Sequence, residues 1–181
     1  MNYTEILDFN NIPASKPEFS LIPVDTIAKA HLTIRGGGYE ADPYLTKSSH
    51  TGSIYLAAEF CVLEGPFSRR KIFQNFGISG TLKEGDNDSF GKKGRSLIRS
   101  IIESAKNINP NDNSDETQKA RKINNFGDLN GITCIIKIGI DHDKSGKYND
   151  RNCIIGIITP DKKDYQQIMN GTQLEDQLPW C

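Results

Sequence analysis

The spacing of apolar and polar residues along this chain predicts five β-strands and one main helix. From Ile27 to Arg35 the two kinds of residue alternate, which is the pattern of a half-buried strand. Similar stretches, separated by turn residues, predict four more strands over 53–63, 69–78, 132–140 and 151–159. Between the third and fourth strands, apolar residues at helical spacing predict a helix that begins at Asp88 or Ser89 and is stopped by Pro110.

A second short helix is predicted over 115–122. The order of three strands, a helix and two strands is that of the OB-fold, a five-stranded and partly open barrel. The predicted fold class is therefore mainly β with α: an OB-fold-like five-stranded barrel of order β-β-β-α-β-β with an extra short helix. A generic α+β sheet is the alternative. We divide the chain into an N-terminal arm or pairing segment (1–26), an OB-like domain (27–160) and an acidic C-terminal tail (161–181).

The composition favours a binding protein over an enzyme. A chain of 181 residues with 36% hydrophobic residues and a mean hydropathy of −0.52 predicts one soluble domain with a core. It has no apolar run near the ~20 residues of a membrane span and no secretory signal at its start, so we expect a cytoplasmic protein. The 4 cysteines form no CxxC pair and there are 3 histidines, which predicts no disulfide framework, no zinc site and no cofactor.

The net charge of −1 is unevenly distributed. Residues 1–26 have 1 basic and 4 acidic side chains, residues 27–160 have 19 and 15, and residues 161–181 have 2 and 4. A mildly basic middle thus lies between acidic ends. A duplex-DNA binder usually has a much stronger basic patch, but a local groove can be positive at near-zero net charge because charges beyond about 10 Å are screened. The charge permits nucleic-acid binding without requiring it.

The third predicted strand combines cations with aromatic rings. Arg69, Arg70 and Lys71 are consecutive, and Phe73 shares a side of the strand with Lys71. Single-stranded nucleic acid needs both features, since cations neutralise phosphates and flat rings stack on bases. In an OB-fold the second and third strands face the ligand. The alternative is an ordinary strand in which Phe73 completes the core and the cations are solvated.

The first strand and the loop after it supply similar side chains. Lys29, His31 and Arg35 lie on the polar side of the strand, and Tyr39 and Lys47 follow in the loop. Because the first strand of an OB-fold pairs with the second, we expect these residues near the same groove. The alternative is that they keep an outer surface hydrated.

The loop 141–152 partly follows the EF-hand calcium pattern. It has oxygen-bearing residues at the first, third and fifth places and a glycine at the sixth, but Asn152 replaces the bidentate glutamate at the twelfth. A hairpin loop between the fourth and fifth strands is the favoured interpretation. The side chains of this loop that we expect to reach DNA are Lys144, Lys147, Tyr148 and Arg151.

Other candidate motifs are weak. The glycines at 36–38 lack the P-loop pattern. The basic stretch 91–95 at the helix start could grip phosphate or could be solvated. Glu59 and Glu64 are expected on opposite faces of their strand, so no acid–base pair emerges and no catalytic or metal-binding residue is predicted.

The last residues of the chain carry its only tryptophan. Asp176, Pro179 and Trp180 form a polar, acidic terminus, which is a poor place to bury a large ring. We interpret them as a docking tip, with the ring entering a pocket of a partner and the carboxylate meeting its basic rim. Burial of the tryptophan in the core is the alternative.

Short motifs spread over about three quarters of the chain point to a family. They are Ile22-Pro23-Val24, Leu32-Thr33-Ile34-Arg35-Gly36-Gly37, Glu64-Gly65-Pro66-Phe67, Arg70-Lys71-Ile72-Phe73, Arg95-Ser96-Leu97-Ile98-Arg99, Ile102-Glu103-Ser104-Ala105 and Ile158-Thr159-Pro160-Asp161. In these motifs the chain resembles the small single-stranded DNA-binding proteins that phages and prophages encode beside replication and recombination genes. The resemblance implies an OB-like fold and sequence-tolerant coating of single-stranded DNA.

The stretch 176–180 separately looks like the acidic tip with which bacterial single-stranded DNA-binding proteins recruit repair and replication enzymes. It departs from that pattern in having Trp180 where phenylalanine is usual and Cys181 after the ring. The expected function is thus non-catalytic binding of single-stranded DNA in phage-like replication or recombination, with replication or recombination proteins as possible partners and no membrane. A strand-annealing or recombination-mediator protein, a nuclease or calcium module, and an adaptor built around the tip are the alternatives. A homo-oligomer is compatible with each.

Overall fold

The computed structural model describes residues 20–80 and 88–170, which form an antiparallel sheet of six strands with three α-helices. The strands are β1 (Ile27–Ile34), β2 (Leu45–Lys47), β3 (Ile54–Val62), β4 (Lys71–Ser79), β5 (Thr133–Asp141) and β6 (Arg151–Ile158). The helices are α1 (Ser89–Ala105), α2 (Asp115–Ala120) and α3 (Tyr165–Met169), and a 3-10 turn spans Phe126–Leu129. The predicted mainly β character, the five predicted strands and the two predicted helices are confirmed. The two elements β2 and α3 were too short to give a periodic signal.

Strand pairing gives β3 neighbours along both of its sides. It pairs with β1 and the short β2 along one side and with β4 along the other, while β1 continues the sheet to β5 and β6. The long path is therefore β4-β3-β1-β5-β6. In this register Glu59 of β3 lies opposite Thr33 of β1 and opposite Phe73 of β4, so these residues form one row across three strands.

The end strands β4 and β6 are not joined by a backbone ladder in the described residues, so the sheet is open. They nevertheless approach each other, because the side-chain oxygen of Gln74 on β4 accepts a hydrogen bond of 3.1 Å from the backbone N–H of Ile154 on β6. An OB-fold barrel is thus a finer description than the strand pairing alone establishes.

The segment before β1 makes contacts at the gap between the two end strands, β4 and β6. The Arg70 guanidinium donates to the backbone carbonyl of Ser20 at 3.0 Å. Asn152 of β6 binds the backbone of Ile22 twice, accepting from its N–H at 2.9 Å and donating to its carbonyl at 2.8 Å. The Ile22 side chain is 1% exposed and belongs to the core. The end of the predicted arm therefore packs against the domain, with contacts to Arg70 before β4 and to Asn152 of β6.

The core lies on one side of the sheet, under α1. Alternate residues of the long strands point into it, and Phe60 and Phe76 meet there edge to face at 6.0 Å between ring centroids. Burying each such side chain stabilises the fold by about 1.5–3 kcal/mol. The helix can approach β4 closely because Gly94 of α1 lies against the backbone of Gly77, where a side chain on either residue would collide. This arrangement leaves the opposite side of β1, β3 and β4 facing solvent.

Candidate nucleic-acid interface

The solvent-facing side of β1, β3 and β4 brings several of the predicted site residues together. Successive residues of a strand point to opposite faces, so the residues between the buried ones face outward. Arg35 directly follows β1 and extends its ladder, donating its N–H to the Ala57 carbonyl at 2.8 Å. We call this surface the outer face. It carries His31, Thr33, Arg35, Glu59, Cys61, Lys71, Phe73 and Asn75.

An aromatic ring and a cation meet at the middle of the outer face. Phe73 is 51% exposed, so the interpretation that it completes the core is wrong. The guanidinium carbon of Arg35 lies 5.4 Å from the centroid of the Phe73 ring, within the range of a cation–π contact. The fold thus joins a residue from the first predicted strand with one from the third, as the sequence predicts. An exposed phenylalanine held beside an arginine is suited to stacking on a planar group.

Lys71 lies two residues before Phe73, on the same side of β4. Its ammonium forms an ion pair with a carboxylate oxygen of Glu59 at 2.7 Å. This hydrogen bond and the attraction of the carboxylate raise the pKa of Lys71 above its usual value. The positive charge of Lys71 is therefore already balanced by the Glu59 carboxylate, although the Lys71 side chain is 57% exposed. The sequence suggested a free cation at this position.

The start of β1 is covered. The Lys29 ammonium donates to the carbonyl of Met169, the last residue of α3, at 2.9 Å. Ile135, which lies opposite Lys29 in the register of β1 and β5, is fully buried. The half-buried Lys29 is therefore held by a contact with α3. His31, the next outward residue of β1, lies opposite Cys61, which lies opposite Lys71.

Tyr39 and Lys47 lie away from the outer face. Lys47 shares its side of β2 with the buried Leu45, and Thr46 between them pairs with the outward Tyr55. The Lys47 ammonium lies 5.9 Å from the centroid of the Tyr39 ring, which is itself partly buried against the core. These two residues form a separate cation–ring contact.

The two arginines before β4 also diverge from Lys71. Arg69 has a φ of 66°, in the left-handed region that a tight turn requires, and it is exposed. Arg70 precedes β4 on the side of the buried Ile72 and binds the Ser20 carbonyl. Of the three consecutive cations, Lys71 is the one that the alternation of β4 places on the outer face with Phe73.

The hairpin between β5 and β6 is organised around Asp143. Its carboxylate accepts from the N–H groups of Lys147 at 2.7 Å and Tyr148 at 2.9 Å and from the hydroxyl of Ser145. These bonds, that from Tyr148 foremost, lower the pKa of Asp143 to about 2. The hairpin holds the exposed Lys144 and Lys147 side chains and the Tyr148 ring, which is 78% exposed.

The other carboxylates of this hairpin bind neighbouring side chains. Asp141 pairs with Arg151 at 2.9 Å, and Asp150 contacts the His142 ring at 2.7 Å. Within 20–80 and 88–170, no three His, Cys, Asp or Glu side chains are grouped so as to hold a metal ion. No hydrogen bond or ion pair in the described residues joins the hairpin to Arg35 or Phe73.

The N-terminus of α1 is capped by the protein itself. Asp88 is the capping residue, as one of the two sequence alternatives proposed, and its carboxylate accepts from the N–H groups of Gly91 at 3.1 Å and Gly80 at 2.7 Å. These bonds and the Arg95 guanidinium lower the pKa of Asp88. The basic stretch 91–95 lies within the first turns of α1, where a carboxylate already occupies the position considered for phosphate.

Glu59 is the residue of the outer face that the predicted site omits. The alternation of β3 does place it on the outward side, which is the only signal the sequence offers. The pairing with Lys71 depends on the register of β3 and β4, which composition does not determine. The residues of the predicted docking tip, Asp176, Pro179 and Trp180, lie outside the described residues.

The chain matches no protein-family model, and no curated protein is significantly similar to it. The resemblance to phage single-stranded DNA-binding proteins therefore rests on the motifs of this chain. None of the helices within 20–80 and 88–170 is long and apolar enough to cross a membrane.

Proposed function

We propose that this protein binds single-stranded DNA, without catalysing a reaction on it, during phage-like replication or recombination in the cytoplasm of a host cell. The observation that carries the proposal is the half-exposed Phe73 ring with the Arg35 guanidinium 5.4 Å from its centroid, on an open sheet face. An unpaired base can stack on such a ring, and a neighbouring cation can neutralise its phosphate.

The strand order supports an OB-type barrel as the finer fold. The path β4-β3-β1-β5-β6, with α1 between β4 and β5 in the chain, is the order expected of that fold. Gln74 and the segment 20–22 bridge β4 and β6, which is where a partly open barrel would close. In this assignment β3 and β4 correspond to the second and third strands of the OB-fold, whose exposed side faces nucleic acid. The outer face is that side.

Replacing Phe73 by alanine tests the proposal. Stacking of one base on an aromatic ring contributes about 1–3 kcal/mol, so we expect Phe73→Ala to weaken binding of a fluorescent thymine oligonucleotide by that amount. Because Phe73 is outside the core, the melting temperature should remain near that of the wild type. Phe90→Ala is the matched control, since Phe90 is 43% exposed on α1.

The ionic strength of the same titration provides a second readout. Each phosphate that the protein neutralises should contribute a slope of about −0.7 to the plot of log affinity against log salt for single strands. Affinity that does not change with salt, or equal binding by the Phe73→Ala and wild-type proteins, would contradict the proposal. Duplex DNA and single-stranded RNA of matched length, measured in parallel, show which polymer the face prefers.

A further inference from the structure

A carboxylate lies in the middle of the outer face, where a surface that only gathered phosphates would not require one. Glu59 is in the central strand of the three, with Thr33 opposite on β1 and Phe73 opposite on β4. Side chains at such directly opposed positions are neighbours, with about 4.5–5.5 Å between their Cβ atoms. A base stacked on Phe73 would thus have the Glu59 carboxylate beside one of its edges.

The contacts of the Glu59 carboxylate leave room for a ligand to donate hydrogen bonds to it. Its side chain is 18% exposed, and one oxygen binds the Lys71 ammonium at 2.7 Å. An ionised carboxylate has two oxygens with about four acceptor positions, so the contact with Lys71 leaves acceptor capacity for a ligand. Such a group accepts hydrogen bonds and donates none. It therefore favours ligand edges that present N–H donors and opposes edges that present carbonyl oxygens.

Guanine is the base whose edge fits this group best. Its Watson–Crick edge presents two adjacent donors, N1–H and the 2-amino group, which match the two oxygens of a carboxylate. Cytosine and adenine each present one amino group next to a ring acceptor, and thymine presents one N–H between two carbonyls. We propose that Glu59 makes the outer face selective for guanine, by accepting both donors from a guanine stacked on Phe73. This inference rests on the proposed function.

Lys71 is the rival for the same preference. A lysine can recognise guanine through the O6 and N7 acceptors on its other edge. The ion pair places both candidates side by side, so the experiment must separate them. Hypoxanthine does this chemically, because it keeps O6 and N7 but lacks the 2-amino group. The variants Glu59→Gln and Lys71→Met separate the two candidates by changing the protein instead of the base.

The experiment compares three oligonucleotides of equal length: thymine only, thymine with isolated guanines, and the same sequence with hypoxanthine in place of guanine. Bidentate recognition of a base discriminates by about 1–3 kcal/mol, so we expect the guanine oligonucleotide to bind about tenfold more tightly than the thymine one. Hypoxanthine should lose most of this gain. Glu59→Gln should abolish the preference while still binding thymine, and Lys71→Met should retain it. Glu116→Gln on α2 is the control, because it removes one exposed carboxylate away from the outer face.

Two results would overturn the inference and leave the proposed function standing. Equal affinity of the wild type for thymine and guanine oligonucleotides is one. A preference that survives Glu59→Gln but disappears in Lys71→Met, with hypoxanthine equal to guanine, would assign it to Lys71. If the wild type binds none of the three oligonucleotides, the proposed function itself is wrong, and so is the proposed role of Glu59 in guanine recognition.

Discussion

At the scale of single residues, two carboxylates of this protein are fixed by different means. Glu59 is held by a charged side chain on the neighbouring strand, and Asp143 by backbone N–H groups of its own loop. The Lys71 ammonium can exchange for a ligand, because its side chain is 57% exposed. Backbone N–H groups cannot leave without opening the loop. Glu59 therefore suits binding, whereas Asp143 shapes the hairpin that presents Tyr148.

The pH dependence of the hairpin follows from Asp143. Its pKa of about 2 lies below the ordinary aspartate value of about 3.9, so the ionised form stabilises the folded loop above roughly pH 4. That stabilisation is lost as the pH falls through about 2. We expect the Lys147 and Tyr148 amide resonances to shift with a midpoint near pH 2 in an NMR titration. Asp143→Asn should remove this step, and Glu116→Gln should keep it. A midpoint near pH 4 would show that the loop bonds are not formed in solution.

At the scale of secondary-structure elements, the contact between α1 and β4 explains why a glycine stands at position 94 of the helix. In the sequence, 91–95 looks like a flexible, cation-rich helix entry. In the structure, Gly94 lies against the backbone of Gly77, so the absence of a side chain lets helix and strand touch. Glycine in a helix costs about 1 kcal/mol relative to alanine. Here the close packing of α1 on the sheet offsets that cost.

Gly94→Ala should therefore destabilise the protein, although alanine is the better helix former. The added methyl group would overlap the Gly77 carbonyl, and overpacking of this kind costs about 1–3 kcal/mol. Gly156→Ala on β6 is the control, because the nearest atom there is the Lys137 Cβ at 3.8 Å. Denaturant unfolding of both variants measures the difference. A more stable Gly94→Ala variant would mean that α1 does not pack on β4 in this way.

At the scale of the whole molecule, local patterns predicted the elements better than they predicted the site. Period-two alternation located the strands of Arg35 and Phe73, and the order of elements brought those residues to one face. Lys29, Tyr39 and Lys47 were expected beside them. Two elements that are too short for a periodic signal account for the difference. Lys29 is bound by the last residue of α3, and β2 places Lys47 on the side of the sheet opposite the outer face. Which residues meet across a sheet depends on register, which is a long-range property.

The last prediction concerns the contacts that bring β4 and β6 together, which join residues far apart in the chain. Ile22 is 1% exposed and its backbone is held by Asn152, so the segment before β1 fills the gap between β4 and β6. Truncating a buried isoleucine to alanine costs about 2–5 kcal/mol. We expect a loss of this size in the free energy of unfolding of Ile22→Ala. We also expect faster hydrogen exchange at the Ile154 amide, which donates to the Gln74 side chain on β4.

Val24→Ala, two residues further on, is the matched control, because that side chain is 53% exposed and its loss should change stability little. If Ile22→Ala were equally harmless, the segment would be a peripheral arm and the gap would be open in solution. The outer face would then lie on a sheet free to flatten. The contact of Arg35 with Phe73 joins the end of β1 to β4, so flattening of the sheet would separate the two side chains. We therefore expect Ile22→Ala to bind single-stranded DNA more weakly than Val24→Ala does. This result would link closure of the sheet to function.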